Sequence, residues 1–270
     1  MGIMDILVHL DNLDAARARL ELAVNYARKH DATLKGLYLA TATYFEPRSS
    51  LEQSDYEKAE ALFLEKSAAA GITSEWIRPG RSCNGVSTTN LLTTNAYYSD
   101  LVIVGQASSN LTDNMNIPPD LPELLIMLCG RPVLVVPYTG AFETAGERIM
   151  IAWRAGRESV RSVNDAMSCI EKAHHVSVVE VSAEVIPAES NEHIIQIRDV
   201  IARHKVSART EQIYAGDFTV GDTILNLACE KSIDLLVMGA YAHSKMGKLT
   251  LSPIASHILK HLTVPVIMSH

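Results

Sequence analysis

The chain has 270 residues, 47% of them apolar, with a formal charge of −7 and four cysteines. This length suffices for one large core or two ordinary ones, and the acidic balance argues against nucleic acid as a partner, since that footprint needs clustered Lys and Arg. No apolar run approaches the ~20 residues that span a bilayer. Asp5 and Asp11 stand where a signal peptide needs a basic start, and Cys83, Cys129, Cys169 and Cys229 show no C-x-x-C spacing, so a reduced, cytoplasmic protein off the membrane is expected.

In chain order, ILVHL reads as a buried strand that ends at Asp11. Ala15, Leu20, Ala23, Val24 and Ala27 then recur near one face of a helix, and a second strand closes at Tyr38 to Ala40. Residues 41–70 form an insertion whose latter part is helical by the spacing of Ala61, Leu62 and Leu64. LVIVG ends a strand at Gly105, and VLVVP closes the first half. The polar, small-residue stretch 139–146 marks a join, giving domains over 1–142 and 146–270. Beyond it, IMIAW ends at Trp153 and Arg154, a helical stripe carries Val163, Ala166, Met167 and Ile170, and VSVVEV ends near Val181. LLVMG ends at Met238 and Gly239, and the last helix buries Ile254, Ile258, Leu259 and Leu262.

The second half repeats the first. Each runs strand, turn, helix, strand, and each closes with an acid, a buried strand ending in glycine, a helix and a Pro-opened strand. A period of roughly 140 residues is a duplicated domain, because solenoid units span only ~20–50. Alternating strands and helices imply an α/β architecture of two tandem, doubly wound, Rossmann-like parallel sheets. Ligand crevices in such sheets lie beyond the carboxyl ends of the strands. That places Asp11 and Gly105 in the first half, and Trp153, Arg154, Val181, Met238 and Gly239 in the second, at candidate binding positions. Trp153 can stack on a purine or fill space, and packing is the simpler reading. His257 and His261, four apart on a helix with His243 and His270 near in sequence, can share a metal, but nothing supplies the Glu of H-E-x-x-H, and a solvated face is the simpler reading. No G-x-S-x-G elbow is present, so no catalytic residue is assigned.

At these residues the chain resembles the universal stress protein superfamily in its tandem bacterial form, most strongly from Leu235 to the end. The resemblance implies a stress-response regulator that binds rather than turns over, built as an internal pseudo-dimer, with a homodimer and an unidentified protein partner left open. ATP-binding members show Gly, two residues, Gly, nine residues, then Gly-Ser or Gly-Thr, with an Asp after the first strand. Here Gly239 matches the first glycine, Ala242 replaces the second, Ser252 and Pro253 replace the pair, and Arg154 replaces the Asp. In the first half Asp11 and Gly105 match, but Ser108, Pro118 and Pro119 do not. Ala and Ser strain turns built for glycine, and Pro253 has no N–H for a phosphate. The expectation is therefore a degenerate adenine-nucleotide site with no certain cofactor, in which His243, Ser244, Lys245 and Ser252 supply the remaining donors. The alternative is an ATP- or AMP-binding member with weak hydrolysis through the second domain.

Overall fold

A computed structural model describes residues 2–11, 15–47, 49–107, 117–185, 192–243 and 249–270, with 241–243, 249 and 250 described for the backbone alone. The chain divides into two compact units, Met1–Thr144 and Ala145–His270.

In the first unit the strands are β1 (Asp5–Leu10), β2 (Thr33–Tyr38), β3 (Ser74–Ile77), β4 (Leu101–Gly105) and β5 (Val133–Val136). They lie in the order β3-β2-β1-β4-β5, all parallel. The connecting helices are α1 (Ala15–His30), α2 (Ser50–Ala69), α3 (Thr88–Ala96) and α4 (Leu121–Leu128). Central strands buried on both faces read as continuous apolar runs, and Ile6, Leu7, Val8 and Val102 to Val104 are wholly buried. α1 buries Leu20, Ala23, Val24 and Ala27 of the expected stripe, but Ala15 is only half-buried, Ala16 is buried in its stead, and Arg19 lies buried beside them. α2 starts with a complete capping box between Ser49 and Glu52, which explains why the insertion becomes helical at that point.

The second unit repeats the plan with β6 (Arg148–Ala152), β7 (His175–Ser182), β8 (Ala208–Tyr214), β9 (Leu235–Gly239) and β12 (Val266–Ser269), ordered β12-β9-β6-β7-β8. Its helices are α5 (Arg157–Asp165), α6 (Met167–Ile170), α7 (Glu192–Arg203), α8 (Val220–Glu230) and α9 (Pro253–Lys260). The stripe read as one helix is thus two short pieces meeting at Ala166, though Val163, Ala166, Met167 and Ile170 are all buried as expected. Between β9 and α9 the chain forms a two-stranded antiparallel ribbon, β10 (Tyr241–His243) with β11 (Leu249–Leu251).

The repeated acid before each glycine-ending strand has a structural role. Asp100 Oδ2 accepts from the backbone N–H groups of Met4 and Asp5, at 2.8 and 3.1 Å. Asp234 accepts from those of Gly146, Glu147 and Arg148, at 3.1, 3.0 and 2.8 Å. Each carboxylate satisfies donors at the start of its unit's central strand that the parallel ladder leaves open, and so fixes where that strand enters the sheet.

Candidate functional site

Sheet register places the sequence-read residues. Ile6 pairs with Leu101 and Ile149 with Leu235, so Asp11, five residues after Ile6, corresponds to Arg154, five after Ile149. Gly105 and Gly239 correspond through the same pairs. The strands concerned are neighbours in each sheet, so their carboxyl ends face one crevice.

In the first unit Asp11 is not available to a ligand ribose. Its Oδ2 receives a 2.7 Å hydrogen bond from Arg19 Nη2, with both side chains nearly inaccessible (2% and 4% exposed). The Arg19 guanidinium lies directly over Gly105, so a Cβ at that position would collide with it. Glycine is therefore required here by an internal cation, where the resemblance implied a phosphate. Next to this pair, His9 donates from Nε2 to the Leu39 carbonyl at 2.9 Å, and its Nδ1 stands 4.0 Å from Asp11 Oδ2. Burial holds the imidazole neutral, lowering its pKa to about 4, and the Arg19 charge adds to that while Asp11 opposes it. His9 and Arg19 were missed in the sequence; the available signal was a basic residue at a stripe position of α1 with an acid just upstream. Ser108 lies outside the described residues.

In the second unit the candidate residues do converge. Trp153 and Arg154 follow β6, Val181 lies at the end of β7 paired with Ile213, and Met238 and Gly239 end β9. Trp153 is buried, and its indole N–H has no hydrogen-bond partner among the described residues. Arg154 is exposed. Met238 is buried between its ladder partners Ala152 and Met268, a core position. Gly239 serves a close approach to protein: a Cβ there would fall 2.7 Å from the Glu158 carbonyl carbon and 2.8 Å from Ser159 N, in the first turn of α5. The stretch compared with the phosphate loop is the β10–β11 ribbon, in which Ala242 pairs with Thr250 and His243 with Leu249. Ser252 caps α9, its Oγ accepting from Ala255 N at 3.0 Å. Ser244 and Lys245, and the side chains of Ala242 and His243, lie outside the described residues.

The His257 reading is corrected. Its ring packs over Gly221, donates from Nε2 to Asp222 Oδ1 at 2.8 Å and stacks on His261 with centroids 4.6 Å apart. It docks α9 onto α8 instead of forming a free solvated face, and the Thr219 hydroxyl together with His257 holds the Asp222 carboxyl below its usual range. Among the described residues no three His, Cys, Asp or Glu side chains are grouped to hold a metal, and no helix is long and apolar enough to cross a membrane.

Two adjoining cavities open at the carboxyl ends of β1 and β2 in the first unit. One, of about 890 Å³, is bordered by Asp11, Arg17, Leu20, Tyr38 and Lys58. The other, of about 580 Å³, runs from Tyr38 along the start of the 41–70 insertion to Asp55 and Tyr56. Tyr38 and Asp55 border both.

The model of the universal stress protein family matches residues 172–270. A universal stress protein from Archaeoglobus fulgidus is similar in structure over 98% of this chain and 95% of its own, with a TM-score of 0.74 and 16% identity. A protein of unknown function from Pseudomonas aeruginosa is similar over 99% of this chain and 92% of its own, with a TM-score of 0.59 and 18% identity. A universal stress protein solved in complex with cAMP aligns with 52% of this chain and 100% of its own, at 18% identity and a TM-score of 0.39. No curated protein matches the sequence. The resemblance read from Leu235 onward thus holds within the second unit, and over nearly its whole length the chain shares the fold of the Archaeoglobus universal stress protein.

Proposed function

We propose that this protein is a regulatory binding protein of the stress response that does not turn over nucleotide. The observation that carries this reading is Arg19 over Gly105, locked to Asp11. Phosphate sites present backbone N–H groups and unspent positive charge at a strand end; here the Arg19 charge is neutralised by Asp11 and the space over Gly105 is filled. In the second unit the ribbon uses its backbone in pairing, Ser252 is spent on a helix cap, and Pro253 has no N–H. Among the described residues, neither crevice holds an activated nucleophile or a water-orienting acid–base pair.

A second reading is favoured by Trp153 and Arg154: a buried indole N–H without a partner beside an exposed cation suits an adenine nucleotide held by its base, without hydrolysis. A thermal-shift titration with ATP, ADP and AMP separates the readings, because a ligand of the folded state raises Tm by mass action. No shift at millimolar nucleotide supports the pure binding scaffold. A saturable shift lost in Arg154→Ala supports the second-unit site, and one that survives Arg154→Ala but vanishes in Asp11→Asn overturns the closed first unit.

A further inference from the structure

We propose that the cavity beneath the 41–47 segment of the first unit is a binding site for an organic cation, an amine carried on a compact apolar or aromatic body. Its failure and that of the nucleotide reading are independent, since its walls come from the insertion and not from the Gly105 or Gly239 positions.

The cavity is a built feature. The 41–47 segment is fastened to the loop before α3: Tyr44 N–H donates to Val86 O and Gly85 N–H to Tyr44 O, both at 2.9 Å. Thr88 N–H donates to Ala42 O at 2.9 Å, and Glu46 N–H to Asn84 Oδ1 at 2.8 Å. The opposite wall is the first turns of α2, held by the Ser49–Glu52 capping box. Its volume of about 580 Å³ falls in the range of roughly 300–1,000 Å³ usual for small-molecule sites.

The lining chemistry selects the ligand. Tyr38, Tyr44, Phe45 and Tyr56 supply aromatic surface, Glu46, Glu52 and Asp55 supply carboxylates, and no Lys, Arg or His is among the described lining residues. Such a wall repels phosphates and carboxylates and favours an ammonium, through ring quadrupoles and Coulomb attraction together. Glu52 has other work in the capping box. Glu46 faces Arg81 at 3.2 Å and Asp55 faces Lys58 at 3.4 Å, and with those cations 88% and 71% exposed both pairs are weak. Glu46 and Asp55 are therefore the carboxylates available to a ligand, and Asp55 is the one beside Tyr38 and Tyr56.

A second, independent observation points the same way. Tyr38 is only 9% exposed and borders the cavity. Its ring meets Tyr56 edge-on at 5.8 Å, while its hydroxyl has no hydrogen-bond partner among the described residues. The neighbouring phenols are engaged: Tyr56 Oη accepts from Trp76 Nε1 at 2.8 Å, and Tyr44 donates to Pro79 O at 3.0 Å. The Tyr38 hydroxyl is not among the sealed, unpaired polar atoms of the interior, so it is open to the cavity that the ring borders. Burial and the charge of Asp55 push the Tyr38 phenol up to about 12, so it is a neutral hydroxyl able to accept from an ammonium N–H.

The test is isothermal titration calorimetry of the whole chain with 2-phenylethylammonium, 2-phenylethanol and 3-phenylpropionate, which share a body and differ in charge. The expected result is saturable binding of the ammonium, at least about tenfold weaker binding of the alcohol and none of the carboxylate. Asp55→Asn, a near-isosteric change, should weaken the ammonium about fivefold or more, and Tyr38→Phe, which keeps the ring, about threefold. Equal affinity for the three probes overturns the proposal, as does unchanged affinity in Asp55→Asn or no saturable heat for the ammonium at millimolar concentration. Should a variant fail to fold, the three-probe comparison on the wild-type chain still decides.

Discussion

Replacing Arg19 by Met tests the buried pair that closes the first crevice. The 2.7 Å contact between Nη2 and Oδ2 corresponds to a gross attraction of about 6 kcal/mol at an effective dielectric of ~20. Much of that is offset by the desolvation already incurred on folding, but removing the guanidinium leaves the Asp11 charge buried without it. Breaking buried pairs in this way costs about 3–5 kcal/mol. Replacing both partners, Arg19→Met with Asp11→Asn, removes the charge problem and should recover at least about 2 kcal/mol of that loss. The chain has two tryptophans, Trp76 in the first unit and Trp153 in the second. Urea unfolding followed by Trp76 fluorescence in a Trp153→Phe background therefore reports the first unit alone. A loss below about 1 kcal/mol for Arg19→Met, or strict additivity in the double variant, would refute the reasoning.

Because the folded pKa of His9 is lowered to about 4, the unfolded chain binds a proton that the native state refuses between about pH 6.5 and 4. Stability is thus fully present above pH 6.5 and lost as pH falls through that window, by about 3 kcal/mol; His9→Gln should flatten that part of the stability-versus-pH curve relative to wild type. Gly239→Ala places a Cβ against rigid α5 backbone and should destabilise the second unit by about 1–3 kcal/mol in urea melts read by Trp153. Asp234→Ala removes the acceptor for three backbone N–H groups; a loss of about 2–3 kcal/mol is expected, with early hydrogen exchange at Glu147 and Arg148 as its local signature.

Fold legibility rested on period and punctuation. Val- and Ile-rich runs ending at Gly105 and Gly239 were readable as doubly buried strands, and the acids before them proved to be the clamps Asp100 and Asp234. The Ser49-to-Glu52 box explains why the insertion starts a helix there. The site was less legible. Asp11 and Gly105 match a nucleotide pattern by residue type, but their use is decided by Arg19, a side chain from the next element. Linear spacing does not encode which side chain fills a crevice. His257 shows the same limit, since its partner Asp222 lies 35 residues away. The aromatic and acidic cavity at Tyr38 depends on 41–47 folding back onto 84–88, a long-range contact without a local signature.

The central claim, that the chain binds without turning nucleotide over, is tested most directly by γ-phosphate release from Mg-ATP at saturating concentration with freshly purified wild-type protein. The account predicts a rate indistinguishable from buffer alone. A rate above buffer that falls in Asp11→Asn or in Ser252→Ala would contradict it and identify the unit that performs the chemistry.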